Sequence, residues 1–181
     1  VDEIVIEPYD TTWPARFADE RRFVESCFQT RPLAIEHIGS TAVDGLAAKP
    51  VIDILVLVDD LDQGVAAVPA LEADGYGYWR DNPDRTKLFL AKGLPPVAPQ
   101  RTHHLHIHAD VAERDRHVVF RNALRRDTAL RDEYAALKRE LALRFRHDRE
   151  AYSDAKTIFV DRIVATAGGP ARVHFRSSAK R

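Results

Sequence analysis

Residues Val51 to Val58, VIDILVLV, form an almost unbroken apolar run whose one charged member is Asp53. A short run rich in Val, Ile and Leu is the pattern of a strand covered by other structure, so the chain is expected to fold around a sheet with this strand near its centre. The run falls far short of the ~20 apolar residues that span a bilayer, and no other stretch approaches that length, so no membrane partner is expected. An unpaired buried carboxylate is unfavourable, which directs Asp53 toward a metal, a cation or a polar cleft. A structural Lys or His is the plainer alternative partner.

Around this strand the first half of the chain alternates between helical and extended patterns. Pro14 suits the first turn of a helix, on which Phe17, Phe23, Val24, Cys27 and Phe28 share a face through about Gln29. Leu33 to Ile38 reads as a strand ending at Gly39-Ser40-Thr41, where a short helical turn can begin. Gln63 to Asp74 reads as a helix with Val65, Val68 and Leu71 inward, Pro69 in its middle and Gly75 at its end. Tyr76 to Arg80, Lys87 to Ala91 and Thr102 to Ala109 complete a sheet of about five strands. Beyond about Glu113 the periodicity is helical: Val118, Val119, Ala123 and Leu124 mark one helix and Leu130, Tyr134, Leu137, Leu141 and Phe145 a long second one. A third is expected after an N-cap at Ser153, with Ile158, Phe159, Ile163 and Val164 apolar. The expected class is α/β (α+β), one domain over residues 1–167 with a helical C-terminal half, and a basic, frayed tail over 168–181.

Charge bounds the partners. Lys+Arg 27 against Asp+Glu 28 leaves a net charge of -1, so no global positive field draws the chain to nucleic acid. The one cysteine, Cys27, excludes an internal disulfide framework and a Cys-rich zinc site. With an acidic N-terminal segment that lacks a signal-peptide pattern, the cytoplasm is the expected compartment.

Two segments carry candidate chemistry. At Gly39-Ser40 a strand gives way to a turn where backbone N–H groups can approach an anion, with Thr41 beside it and Lys49 adding charge; an ordinary helix start is the alternative. In Thr102-His103-His104-Leu105-His106-Ile107-His108, which holds four of the eight histidines, strand alternation puts His104, His106 and His108 on one face and His103, Leu105 and Ile107 on the other. Imidazoles in a row supply metal ligands or a general base near neutral pH; a hydrogen-bonded strand surface is the alternative. If the Asp53 and His106 faces coincide, a carboxylate and imidazoles converge beside the Gly-Ser turn, joined by His37, or by Glu36 if the parity of that strand is reversed. Lys87, Lys92, Lys138 and Lys156 read first as exposed lysines and second as added charge around a phosphate. There is no H-E-x-x-H, Walker A, G-x-G-x-x-G or G-x-S-x-G, which removes the usual handles of metalloproteases, P-loop kinases, Rossmann dehydrogenases and α/β-hydrolases.

Over nearly its whole length the sequence resembles the GrpB family, grouped with the polymerase-β-like nucleotidyltransferase superfamily. The resemblance lies in Tyr9-Asp10 and Trp13-Pro14, in Ile35-Glu36-His37-Ile38-Gly39-Ser40-Thr41-Ala42-Val43, and in Gly45-Leu46-Ala47-Ala48-Lys49-Pro50. It continues through Ile52-Asp53-Ile54, Thr102 to His106, Phe120-Arg121, Tyr134, Leu137-Lys138 and Tyr152 to Lys156. It implies a nucleotidyltransferase-like mixed sheet backed by helices, a Gly-Ser turn cradling the phosphates of a nucleotide or other phosphorylated small molecule, and acidic residues on the next strand holding Mg²⁺. Active superfamily members commonly carry two acids separated by one residue on that strand, to clamp two ions. Here Asp53 is followed by Leu55.

The expected site therefore has Gly39, Ser40, Thr41 and Lys49 on the nucleotide, and Asp53, His37, His104 and His106 on a divalent ion, with Asp53 and His106 closest to the chemistry. Histidine in place of the missing oxygen ligands favours Zn²⁺ or Mn²⁺ over Mg²⁺. The reaction implied is nucleotidyl transfer to an acceptor. The alternatives are a non-catalytic phosphate-binding or accessory module serving a protein partner, as in domains of this type fused to dephospho-CoA kinase, and a metal-dependent phosphohydrolase.

Overall fold

The computed structural model describes residues 3–94, 98 and 100–172. The sheet has five strands: β1 (Ala34–Ile38), β2 (Ile52–Leu57), β3 (Tyr76–Tyr78), β4 (Lys87–Lys92) and β5 (His103–His108), in the order β1-β2-β5-β4-β3. Only the β2–β5 pair is parallel; the others are antiparallel. The fold is thus a mixed-sheet α+β domain in which β2 and β5 sit inside, as the apolar run of β2 demands.

Side-chain alternation divides the sheet into unlike faces. Ile52, Ile54 and Val56 of β2, Leu88 and Leu90 of β4, and Leu105 and Ile107 of β5 form the main core with Trp13 and Val24 of α1 (Trp13–Ser26) and Ala67, Val68 and Leu71 of α2 (Leu61–Ala73). Trp13, Ile52, Ile54, Leu71, Leu90, Leu105 and Ile107 are each fully buried there. Gly64 lets α2 lie close, because a Cβ at that position would sit 2.9 Å from Ile107 and Leu88 methyl groups. This contact turns Val65, expected inward, to solvent at 50% exposure. Pro69 is tolerated because its ring also lies on the exposed side.

The opposite face carries the polar row of β5 and is covered by α3 (Val111–Arg126), against which α4 (Thr128–Arg144) and α6 (Thr157–Thr166) pack, with α5 (Arg149–Ala155) between those two. Val43, Leu46, Phe120, Leu124, Tyr134, Phe159, Ile163 and Val164 make the core among these helices. Asp127 closes α3 and caps α4 through its carboxylate, which accepts from Leu130 N–H at 3.0 Å. Ser153 is not an N-cap: the expected third helix is two, and Asp148 caps the first of them by accepting from Ala151 N–H. Ile158 is correspondingly exposed, at 84%.

Of the expected tail, 168–181, residues 168–172 are described. Gly169 N–H donates to Val164 O, Arg116 donates to Pro170 O at 2.9 Å, and Arg172 pairs with Asp161, so residues 168–172 dock on α3 and α6. The remainder, 173–181, lies outside the described residues. Among the described residues no helix is long and apolar enough to cross a membrane.

Candidate metal and anion site

Parallel pairing sets Asp53 opposite His104 and Leu55 opposite His106, so the odd-numbered face of β2 and the even-numbered face of β5 are the same face. The Asp53 carboxylate lies 3.0 Å from His104 Nδ1 and 3.8 Å from His106 Nε2. One ligand atom from each of Asp53, His104 and His106 falls within 4.8 Å of the others. An ion with bonds of about 2.1 Å spans ligand separations of this order, and two imidazoles with one carboxylate suit a borderline transition metal. The side chains keep 29%, 13% and 21% exposure, so the cluster opens to a cleft rather than being sealed. Phe89 of β4 walls it, its ring centroid 5.3 and 5.1 Å from those of His104 and His106.

Burial opposes charge on Asp53, but the hydrogen bond with His104 and the proximity of His106 outweigh it and hold the carboxyl well below its usual range. Burial pushes His104 the other way, toward the neutral ring, against the pull of Asp53. The site therefore presents an ionised carboxylate and a neutral imidazole, both in the protonation states of metal ligands. His117 of α3 stands behind, its ring centroid 6.3 Å from that of His106, with burial and then His106 and His108 lowering its pKa to about 3.

Gly39 explains its own identity here. It has φ 70°, and a Cβ would lie 2.5 Å from Asp53 Oδ2. The turn therefore runs directly over the carboxylate, and Ser40, at the start of a 3-10 turn (Ser40–Ala42), acts on the Tyr134 hydroxyl.

Facing this turn is a wall of lysines. Lys138 of α4 is 2% exposed, its ammonium donating to Ala47 O and lying 5.0 Å from the Tyr134 ring centroid. Lys49 and Lys156 both lie over the ring of Tyr152, at 5.1 and 4.1 Å. Burial and then Lys156 lower Lys138 to about 7; burial and then Lys49 do the same to Lys156. Lys49 is lowered mainly by burial, and Asp53 opposes this. Among the described residues Asp53 is the carboxylate that favours charge on Lys49 and Lys156, whereas the charges that act on Lys138 are the cations Lys156, Arg139 and Lys49. Buried ammonium groups in excess over carboxylates make an anion site.

Of the expected site residues, the structure brings Gly39, Ser40, Lys49, Asp53, His104 and His106 to one cleft. His37 and Thr41 do not join them. Antiparallel pairing sets His37 opposite Ile54, on the α1 face, where it stacks on Phe17 at 4.6 Å. Thr41 is 1% exposed and its hydroxyl donates to Val51 O while lying 3.0 Å from His37 Nε2. Glu36 does share the Asp53 face but is held by Arg121 at 2.9 Å. Tyr134 reads from the sequence as helix core, Tyr152 enters there only through the family resemblance, and Lys138 and Lys156 read first as exposed. The signal lies in spacing: each lysine follows a buried tyrosine by four residues, Lys138 within α4 and Lys156 just past the end of α5.

Residues 3–166 match the GrpB protein family. The chain belongs to the GrpB family. Within it, UPF0157 protein PA4798 of Pseudomonas aeruginosa is 42% identical over 166 residues, covering 92% of this chain and 68% of that protein. UPF0157 protein BH1888 of Halalkalibacterium halodurans is 37% identical, over 91% of this chain and 82% of its own length. The glutamate-rich protein GrpB of Alkalihalophilus pseudofirmus is 30% identical, over 90% and 94%. The crystal structure of the conserved protein GrpB from Enterococcus faecalis superposes with a TM-score of 0.80 at 34% identity, covering 90% of this chain and 96% of that one. The GrpB fold is therefore common to this chain and that protein.

Proposed function

We propose that this GrpB-family chain binds a nucleotide together with one divalent transition ion and transfers its nucleotidyl group to an acceptor hydroxyl or amine. The observation that carries the reading is the meeting of Asp53, His104 and His106 with Lys49, Lys138 and Lys156 around the Gly39–Ser40 turn. Asp53, His104 and His106 would hold the ion, which when bound supplies neutralisation of phosphate oxygens. The lysines and the backbone over Gly39 hold the rest of the polyphosphate. Such charge neutralisation and positioning provide most of the rate in phosphoryl-group chemistry.

A non-catalytic phosphate-binding module is the second reading, favoured by one observation. Leu55 is fully buried, packed with Ile38 and Leu57, so nothing on β2 replaces a second carboxylate. Thermal melts with nucleoside triphosphates and Mn²⁺ or Zn²⁺ test the common part. A tenfold excess over Kd adds about 1.4 kcal/mol, a rise of about 3 to 5 °C. No shift at millimolar nucleotide with either metal defeats both readings. Release of pyrophosphate in the presence of candidate acceptors, lost in Asp53→Asn, separates transfer from binding alone.

A further inference from the structure

A cavity of about 580 Å³ lies on the other side of the Ser40–Ala42 turn, lined by Tyr9, Pro14, His37, Asp44, Arg125 and Arg131. Pro14 and His37 bring the α1 side of the fold to it and Arg125 and Arg131 the α3–α4 side, and Asp53 is not in its lining. Its size is that of a small-molecule site. None of the cleft's lysines or metal-ligand candidates lines it.

Its charges are oriented but not neutralised. Arg125 Nε and Nη2 both donate to Ala42 O, at 2.8 and 2.5 Å, which fixes the plane of a guanidinium that lines the cavity. Arg131 Nη1 donates to Asp44 O at 3.2 Å and lies against Gly45, where a side chain would crowd it at 3.3 Å. Backbone carbonyls steer a guanidinium without cancelling its charge. The acids nearby are Asp44, whose charge acts on the Tyr9 hydroxyl, Glu36, which pairs with Arg121, and Asp132, which pairs with Arg131 Nε at 3.6 Å from a 75% exposed position. His37 is neutral at pH 7, since burial lowers its pKa to about 4. Asp132 meets Arg131 from an exposed position where water screens the pair, and Asp44 is the carboxylate that lines the cavity with the two guanidiniums. Tyr9, held edge-on by Trp13 at 5.3 Å, and Pro14 supply an apolar wall opposite.

We infer that this cavity is a second ligand site, for a small molecule carrying one carboxylate or phosphate group on a ring-sized apolar body, with the oxyanion on Arg125 and Arg131 and the body against Tyr9 and Pro14. Arg is the side chain suited to such planar, forked recognition of an oxyanion. Both guanidiniums grip carbonyls of the loop that follows Ser40, so an occupant braces the segment that borders the Asp53 cleft.

The site is tested by titrating the full chain, without added metal or nucleotide, with benzoate and with phenyl phosphate while following amide resonances. Saturable shifts at Tyr9, Ala42 and Asp44 are expected with at least one probe, and which probe saturates tells carboxylate from phosphate. Binding should weaken at least tenfold in Arg131→Gln and in Arg131→Ala, both checked for an unchanged melt, and persist in Lys156→Gln. No saturable shift with either probe overturns the inference. So does binding that survives the Arg131 changes, or that disappears in Lys156→Gln and thus belongs to the lysine wall. Because no nucleotide is involved, the outcome is independent of the proposed transfer activity.

Discussion

Gly39 is the residue at which fold and site meet. Its φ of 70° and the 2.5 Å approach of Asp53 Oδ2 to the missing Cβ are separate objections to a side chain. Gly39→Ala is therefore expected to lower stability by on the order of 2 to 4 kcal/mol, from backbone strain and overpacking together, and to weaken Mn²⁺ or Zn²⁺ binding. Urea melts and metal titration read the two effects. Lys156 behaves oppositely. Its ammonium is buried over Tyr152, and its folded pKa of about 7 lies below the free value of 10.5. Between those values the unfolded chain binds the extra proton, so wild-type stability rises with pH across that window. Lys156→Met should melt at or above the wild-type temperature at pH 7, with the difference shrinking by pH 9.5, while triphosphate binding falls at least tenfold. A site residue that stabilises the protein when removed is held there for a ligand.

At the scale of elements, the junction between α3 and α4 fixes both sites. Asp127 terminates α3 and caps α4 in one residue, and the two helices carry Arg125 on one side of it and Arg131, Tyr134 and Lys138 on the other. Asp127→Ala removes the acceptor for Leu130 N–H and should destabilise by about 1 kcal/mol. Faster hydrogen exchange confined to the first turn of α4 is the expected signature; exchange unchanged there would mean that packing of Leu130 and Tyr134 alone holds the corner. β5 shows how much a single strand can carry. Leu105 and Ile107 are fully buried in the α1–α2 core, while His104 and His106 look into the cleft. One alternation thus serves stability on one face and chemistry on the other.

For the molecule as a whole, acid should be the more damaging extreme of pH. His37 is buried and neutral, with its folded pKa at about 4 against 6.5 when free. Below 6.5 the unfolded chain takes up a proton that the folded chain does not, so stability is lost as pH falls from about 6.5 toward 4. His37→Gln should flatten this part of the melting-temperature profile, although it loses the stack on Phe17 and is less stable at pH 7. A profile of unchanged slope would show that His37 protonates freely in the fold. The C-terminal helices are also what complete the cleft, since α4 and α5 deliver Lys138, Tyr134 and Tyr152, with Lys156 just beyond α5.

The local pattern by itself determined the strands of the sheet, the helical second half, the Gly-Ser turn at the end of its strand and the sharing of one face by His104 and His106. Each follows from the pleat of a strand or the pitch of a helix, which are properties of the backbone over a few residues. What lay beyond it were relations between elements. The parallel register of β2 with β5 joins Asp53 to His104 across 51 residues of chain, and the antiparallel register of β1 turns His37 away. Lys138 is buried only because a whole helix layer closes over it. Register and layer packing are settled by side chains distant in sequence competing for the same core, so no window of sequence contains them; only the assembled sheet and its covering helices decide which faces meet.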